Sequence, residues 1–242
     1  MLLTYESIAK RIDHSLLGPT LAKSELEAGC RLAAQYRVAS VCIKPYAVPL
    51  AKKLLDGTGV AVGTTIGFPH GGQMTSVKVS EATLAMAAGA TELDMVINIG
   101  RALGGEWRAV SDDIEAVCEV AHKGGAIVKV IFENCYLNDE QKAKLCAICG
   151  DHRADYVKTS TGYGTGGSTE ADLILMRKAA PKHVKLKAAG GVRDLDGVLR
   201  CVELGCDRIG ASRTAEILDA LKARLAGKAE PVASVSRGNE GY

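Results

Sequence analysis

The sequence lacks the features that would direct a chain into a membrane or across one. No uninterrupted apolar segment reaches the ~20 residues that a membrane-spanning helix needs. The first eight residues have neither the basic start nor the long apolar run of a secretory signal. We therefore expect a cytoplasmic protein with no membrane partner.

The chain also lacks a large net charge and any internal linker. Its 30 Lys and Arg residues against 28 Asp and Glu residues give a formal net charge of +2 over 242 residues. This balance argues against a nucleic acid partner. With 47% hydrophobic residues and no shift in composition along most of its length, the chain can build one sizeable core.

The eight cysteines do not form a metal-binding pattern. The one pair with CxxC spacing, Cys146 and Cys149, lies inside a predicted helix and has no second pair to complete a zinc site. Reduced cysteine in a large domain behaves as a small buried hydrophobe. We expect no metal and no disulfide framework.

Strand-like runs alternate with amphipathic runs along the chain, which predicts an α/β fold with a parallel sheet covered by helices. The eight predicted strands are Ile12 to Leu16, Ala39 to Ile43, Val60 to Ile66, Glu92 to Ile97, Ile127 to Phe132, Tyr156 to Thr159, Val184 to Ala188 and Arg208 to Ala211. The helical runs include Ser24 to Tyr36, Ser76 to Ala88, Ser111 to Ala121, Glu140 to Cys149, Glu170 to Ala179 and Leu195 to Leu204. Eight such units in about 250 residues predict a single (β/α)8 TIM barrel over residues 1–226.

The last residues, 227–242, differ from the rest in being polar and rich in small side chains. We expect them to form a flexible C-terminal tail. Because Tyr242 ends this tail, the tail could fold over the barrel mouth as a proton-handling lid.

Two lysines stand at the ends of predicted strands, each followed by a glycine-rich turn. Lys158 precedes Thr159 to Gly162, and Lys187 precedes Gly190 and Gly191. Two cations held close together at the mouth of a barrel should lower the pKa of one of them. A neutral amine can attack a carbonyl and form a Schiff base.

Further polar residues fall at strand ends, where barrel enzymes place their catalytic groups. They are Asp13, His14, Ser15, Cys42, Lys44, Asp94, Asn98, Lys129, Glu133, Ser160 and Lys185. Charges inside an apolar barrel are costly unless they pair, so such a set indicates chemistry. We expect His14 to hydrogen-bond Asp13 and Lys185 to lie at the surface.

Motifs at seven or eight strand ends, in the same order, resemble those of the deoxyribose-phosphate aldolases, class I aldolases of the DeoC family. They run IDHSLL from Ile12, ASVCI from Ala39, IGFP from Ile66, ELDMVINIG from Glu92, VKVI from Val128, VKTSTG from Val157, KAAGGVR from Lys187 and RIGAS from Arg208. The resemblance covers residues 12–215.

The resemblance implies reversible cleavage of 2-deoxy-D-ribose 5-phosphate to acetaldehyde and D-glyceraldehyde 3-phosphate, with no metal or organic cofactor. It implies that Lys158 is the Schiff-base lysine, Lys187 the second lysine and Asp94 the acid/base carboxylate. Lys129 would keep Asp94 ionised. The remaining predicted substrate-binding residues near the reacting end are Asp13, Ser15, Cys42 and Thr159.

A phosphate site is predicted at the glycine-rich strand ends, where backbone N–H groups can approach an anion. Its residues are Gly162, Gly190, Gly191, Arg193, Gly210 and Ser212. Lys44, Tyr163 and Arg213 depart from the family pattern, and the added charge of Lys44 and Arg213 could tighten a phosphate or serve another acidic substrate.

Three alternatives stay open on the sequence. One is a Schiff-base aldolase with a different donor or acceptor, another is a phosphosugar isomerase, and the third is a noncatalytic phosphosugar-binding protein. The expected partners are a small phosphorylated sugar and acetaldehyde. Barrels of this kind often pair through their outer helices, so a homodimer is a further expectation.

Overall fold

The computed structural model describes residues 3–228, and its central feature is a closed parallel barrel. The strands are β1 Ile12–Leu16, β2 Ser40–Ile43, β3 Ala61–Ile66, β4 Glu92–Val96, β5 Ile127–Ile131, β6 Tyr156–Lys158, β7 Lys185–Ala189 and β8 Arg208–Ala211. Each strand pairs with the next along the chain, and β8 closes onto β1. The predicted (β/α)8 TIM barrel is confirmed.

Helices follow the strands and cover the outside of the barrel. Within residues 3–228 they are α1 Tyr5–Ala9, α2 Lys23–Tyr36, α3 Val48–Leu55, α4 Thr75–Ala87, α5 Ile99–Leu103, α6 Trp107–Lys123, α7 Asp139–Asp151, α8 Glu170–Ala179, α9 Leu195–Glu203 and α10 Thr214–Leu225. No helix in this part of the chain is both long and apolar enough to cross a lipid bilayer.

The main hydrophobic core lies between the barrel wall and the helices. Side chains alternate along a strand, so one set of strand residues faces outward. Val41, Leu93, Val157 and Leu186 belong to this set and are fully buried in the core cluster. The opposite set faces the barrel interior, and its polar members form the site described below.

Side-chain hydrogen bonds mark the starts of three of the helices. The side chains of Asn138, Thr169 and Asp194 accept hydrogen bonds from backbone N–H groups in the first turns of α7, α8 and α9. Such caps satisfy N–H groups that have no partner inside the helix. They fix the residue at which each of these three helices begins.

A buried ion pair joins α4 to α6 outside the barrel. Lys78 Nζ donates to Asp113 Oδ2 at 2.5 Å and to the Val96 carbonyl at 2.8 Å. Thr75 donates to the other carboxylate oxygen of Asp113 at 2.9 Å. The lysine is fully buried, so these partners replace its contact with water.

Residues 229–242 lie outside the described part of the chain. The predicted tail therefore falls outside it except for Gly227 and Lys228. The proposed lid role of Tyr242 stays a prediction of the sequence.

Candidate active site

Charged side chains from six strands meet inside the barrel. Strand register places Asp94 opposite Lys129 on β4 and β5, and Lys158 opposite Lys187 on β6 and β7. Because partners in register project to the same side of a sheet, each pair points into the interior together. Asp13 reaches the same interior from β1, which pairs with β2 and β8.

Asp94 is the centre of this cluster and is fully buried. Its Oδ1 accepts a hydrogen bond from Lys129 Nζ at 2.8 Å, and its Oδ2 accepts from Lys158 Nζ and Lys187 Nζ, each at 2.7 Å. Two nitrogens at 2.7 Å from one oxygen cannot lie farther apart than twice that distance, about 5.4 Å. The two lysines predicted to meet at the strand ends therefore do meet.

The three lysines differ in the number of carboxylates they contact. Lys129 Nζ lies 2.7 Å from Glu92, 2.8 Å from Asp94 and 3.4 Å from Asp13. Lys187 Nζ contacts Asp94 and, at 2.6 Å, Asp13 Oδ2. Lys158 contacts Asp94 alone, through an oxygen that it shares with Lys187. Lys158 is thus the least compensated amine of the three.

The pKa shifts follow this order of compensation. Burial lowers the pKa of Lys158 below that of free lysine, and the Lys187 ammonium lowers it further against the opposing attraction of Asp94. Burial would also lower the pKa of Lys187, but Asp13 and Asp94 outweigh it and raise that pKa. Burial therefore lowers the pKa of Lys158 more than the second lysine does, although the sequence indicated the second lysine as the main cause.

Lys129 and Asp94 stabilise each other's charge. Burial opposes ionisation of both groups, but carboxylates hold the pKa of Lys129 well above its usual range, and lysines hold the pKa of Asp94 well below its own. Asp13, in contact with Lys129 and Lys187, also has a lowered pKa despite its burial. At neutral pH the carboxylates are ionised.

A charge count over the cluster points to the same amine. Asp13, Glu92 and Asp94 carry three negative charges, which Lys129, Lys187 and Arg208 balance. A proton on Lys158 would add an uncompensated positive charge in a buried site, which is unfavourable. The arrangement favours Lys158 as a free amine.

A cavity of about 690 Å³ opens above this cluster. Lys158 and Lys187 line it, whereas Asp94 and Lys129 lie beneath it and do not. The predicted binding residues along its wall are Asp13, Ser15, Cys42, Gly162, Gly190, Gly191, Arg193, Gly210 and Ser212. A molecule in the cavity can therefore reach the two amines directly, but reaches Asp94 only through them.

Cys42 adds a neutral group to the cavity wall. Burial raises the pKa of its thiol to about 11, with Asp94 nearby adding to the effect. The side chain is a thiol at neutral pH and so adds no charge to the balance described above.

One end of the cavity is made of backbone that only glycine can supply. Gly190 and Gly191 have φ values of +80° and +86°, a region that other residues rarely adopt. A Cβ on Gly190 would also lie 2.9 Å from the Cα of Gly167. Arg193, two residues after Gly191, and Ser212 also line the cavity, so backbone N–H groups and a guanidinium are available to an anion.

Gly210 contributes to the site because it has no side chain. It lies on β8 next to Lys187, and a Cβ there would be 3.6 Å from Cε of Lys187 and 3.4 Å from the Cβ of Ala189. The missing side chain makes room for the stem of the lysine.

Two side chains hold the loop that follows β1 at the rim of the cavity. Lys44 Nζ donates to the carbonyls of Gly18 and Leu21 at 2.9 and 3.0 Å, and Tyr163 OH donates to the Leu17 carbonyl at 2.7 Å. The Tyr163 ring also packs edge-on against Phe68. The charge of Lys44, which the sequence left available for a phosphate, instead faces backbone carbonyls.

Two sequence expectations fail because adjacent strand residues face opposite ways. Thr159 follows Lys158 and points away from the cavity, where its hydroxyl donates to the Ala189 carbonyl and accepts from the Ala189 N–H, both at 3.1 Å. His14 follows Asp13 and does not bond to it. Its Nδ1 lies 2.8 Å from Thr214 Oγ1 instead.

Several site residues were not singled out from the sequence. Thr161 and Glu216 line the cavity, and Glu92 and Arg208 complete the charge cluster below it. The signal for the last two was a charged residue at the start of an otherwise apolar strand. Within residues 3–228 no group of three or more His, Cys, Asp or Glu side chains is arranged to hold a metal ion.

Comparison with known proteins decides the family. Residues 8–215 match the sequence profile of the DeoC/LacD family aldolases. The chain belongs to this aldolase family. Its relatives include the deoxyribose-phosphate aldolase of Rhodopirellula baltica, 50% identical over 238 residues that cover 98% of each chain. The enzyme of that name from Thermococcus gammatolerans is 48% identical over 88% of this chain and 95% of its own length.

Solved structures of family members share the fold as well as the sequence. The deoxyribose phosphate aldolase of Aeropyrum pernix, described as a tetramer, superposes with a TM-score of 0.85 at 32% identity. The match covers 91% of this chain and 93% of that one. Membership of the aldolase family therefore extends over nearly the whole barrel.

Proposed function

We infer that this chain cleaves 2-deoxy-D-ribose 5-phosphate reversibly to acetaldehyde and D-glyceraldehyde 3-phosphate, through a Schiff base on Lys158. The names of its full-length relatives support the substrate. The observation that carries the mechanism is the position of Lys158. It is a buried amine that lines the cavity, has a lowered pKa and contacts one carboxylate.

The first step is addition of the amine to the open-chain sugar. The lone pair of Lys158 Nζ attacks the C1 aldehyde carbon, and the former carbonyl oxygen takes one proton from this nitrogen and a second from the Lys187 ammonium. That oxygen leaves as water, and a positively charged iminium forms. Asp94 Oδ2, 2.7 Å from this nitrogen, stabilises the charge that develops on it. Because the free amine fits the charge balance of the cluster, the enzyme holds it ready before the substrate arrives.

Carbon–carbon cleavage then uses the iminium as an electron sink. The C3 hydroxyl gives up its proton, the C2–C3 bond breaks, and its electron pair moves into the iminium to form an enamine as glyceraldehyde 3-phosphate leaves. The enamine takes a proton at C2, and water hydrolyses the resulting imine to release acetaldehyde and the amine.

Proton transfer in these steps runs through the cavity wall. Asp94 does not line the cavity, but Lys187 does and donates to Asp94 Oδ2 at 2.7 Å. Lys187 therefore links the carboxylate to the sugar hydroxyls, directly or through a water molecule. Asp94 lies on the far side of Lys187 from the cavity and is the carboxylate that accepts and returns the proton.

The far end of the cavity takes the phosphate. Gly190, Gly191, Arg193 and Ser212 provide the donors there, and Gly162 lies close to Gly190. Pairing of two copies and a cytoplasmic location remain predictions of the sequence.

Reductive trapping tests the Schiff base. Incubation with acetaldehyde and cyanoborohydride should add the mass of one ethyl group to the peptide that contains Lys158 and abolish turnover. Lys185, exposed on β7 two residues before Lys187, is the control lysine in the same protein. It should remain unmodified under conditions that give complete loss of activity.

The outcomes separate the alternatives. Trapping by hydroxyacetone or dihydroxyacetone phosphate in place of acetaldehyde would keep the Schiff base and overturn the substrate. An unmodified Lys158 peptide in enzyme that has turned over the sugar phosphate would overturn the Schiff base and favour an isomerase.

A further inference from the structure

Glu92, which is buried, and Arg208, which is partly buried, form an ion pair at the end of the barrel opposite the cavity. Each is the first residue of its strand, β4 and β8. Arg208 Nη2 donates to Glu92 Oε1 at 3.0 Å, and its Nη1 donates to Glu92 Oε2 at 3.2 Å. Neither side chain lines the cavity, so neither touches a molecule bound there.

The pair is nevertheless linked to Lys158 and Lys187 through intervening ion pairs. Arg208 Nη1 also donates to Asp13 Oδ1, and Asp13 Oδ2 lies 2.6 Å from Lys187 Nζ. Glu92 Oε2 accepts from Lys129 Nζ at 2.7 Å, and Lys129 in turn holds Asp94 Oδ1. Every carboxylate near Lys158 therefore has another cation bound to it.

The charges of this pair complete the balance of the cluster. With Arg208 present, three carboxylates face three cations other than Lys158. Without Arg208 the same carboxylates would face two cations and would attract a proton to the remaining amine. Without the charge of Glu92 the cluster would carry an excess of positive charge and would repel that proton more strongly.

We propose that Glu92 and Arg208 are positioning residues of the aldolase reaction, which fix the charge of the cluster so that Lys158 is the amine left without a proton. The proposal rests on the Schiff-base function inferred above. It assigns a catalytic consequence to two residues that the substrate never contacts.

All titratable and charged groups that pack around Lys158 enter this balance. They are Asp13 on β1, Cys42 on β2, Glu92 and Asp94 on β4, Lys129 on β5, Tyr156 on β6, Lys187 on β7 and Arg208 on β8. Tyr156 contacts Arg208 through its ring, and the exposed Lys185 lies over the same ring. None of the other groups changes charge in the variants below.

The test is the pH dependence of kcat/KM, whose acidic limb reports the free enzyme's essential amine. Arg208→Met should move this limb to higher pH, and Glu92→Gln should move it to lower pH. Each shift should be at least about half a pH unit, as expected for loss of one charge from a cluster that water screens poorly. The double variant should have its limb close to the wild-type position.

Opposite shifts distinguish a charge effect from a packing effect. Loss of packing at an ion pair would lower the rate in both variants without moving the limbs apart. Arg208→Lys keeps the charge and should keep the limb even if the rate falls. If Arg208→Met does not fold, the other two variants still test the proposal. Glu92→Gln should move the limb to lower pH, and Arg208→Lys should leave it in place.

The exposed pair Arg200 and Glu170 provides matched controls. These side chains make a bidentate contact with N–O distances of 3.0 and 2.7 Å, but both are solvent-exposed. Arg200→Met and Glu170→Gln should leave the limb in place because water and salt screen surface charges.

Two results would overturn the proposal. One is that both variants keep the wild-type limb, and the other is that both move it in the same direction. Trapping of Lys158 with acetaldehyde in the same preparations separates this failure from failure of the Schiff-base function. If Lys158 is trapped but the acidic limbs do not move, the role proposed for Glu92 and Arg208 is wrong and the Schiff-base function stands.

Discussion

Replacement of Lys187 by methionine should move the acidic limb of kcat/KM toward alkaline pH. The two lysine nitrogens lie no more than about 5.4 Å apart, since both are 2.7 Å from Asp94 Oδ2. At that separation, with an effective dielectric constant of about 20, two positive charges repel by about 3 kcal/mol. At about 1.4 kcal/mol per pH unit, loss of this repulsion should move the limb by about two pH units.

The direction follows from which form of Lys158 reacts. The free amine is the nucleophile, so a stronger hold on its proton requires a higher pH to produce it. Loss of Lys187 also leaves Asp94 Oδ2 to Lys158 alone, which strengthens the hold in the same direction. On the acidic limb, activity should fall about 100-fold and should recover in part as the pH is raised.

The assay is the initial rate of sugar phosphate cleavage across the pH range, compared with Lys185→Met as a control on the same strand. Because Lys187 also belongs to the proton route, the plateau of the Lys187→Met profile is expected to fall as well. The limb position is therefore the decisive quantity. A lowered plateau with the limb unmoved would refute the electrostatic role of Lys187 and leave only the proton-transfer role.

Two further predictions concern stability. Asp113→Ala should lower the free energy of unfolding by about 3–5 kcal/mol in urea titrations, because it leaves the buried Lys78 ammonium with only the Val96 carbonyl; a loss below about 1 kcal/mol would contradict this. Burial lowers the pKa of His14 to about 4 in the folded chain, from 6.5. Only the unfolded chain then takes up the proton between these values, so stability should fall by about 3 kcal/mol as the pH is lowered from 7 to 4. His14→Gln should reduce that fall, and an equally steep acid dependence in this variant would show that other groups cause it.

Much of the barrel was predictable because its strands are buried on both sides. Runs such as Val130 to Phe132 read as continuous apolar segments, and the observed strand limits differ from the predicted ones by no more than a residue or two. The short helices α1 and α5 were missed because five residues give too few turns to show a periodicity. The longer α3 and α10 lay in segments to which no helix had been assigned.

The meeting of Lys158, Lys187 and Asp94 was predictable from their places near strand ends. The sequence could not show which of two adjacent strand residues faces the barrel interior. Lys158 and Thr159 are adjacent, yet only Lys158 reaches the cavity. The roles of Glu92 and Arg208 depend on contacts between strands that are 116 residues apart in the chain. Such contacts become visible only when the barrel closes.

The empty space at Gly210 has a consequence for reading related sequences. A methyl group there would make ordinary contacts with Lys187 Cε and Ala189, but a larger side chain would meet the lysine stem and force its nitrogen to another place. A homologue could therefore retain both reactive lysines and the central aspartate and still be a poor aldolase. A small residue, glycine or alanine, at the position of Gly210 on β8 is therefore as informative about aldolase activity as the presence of the two lysines.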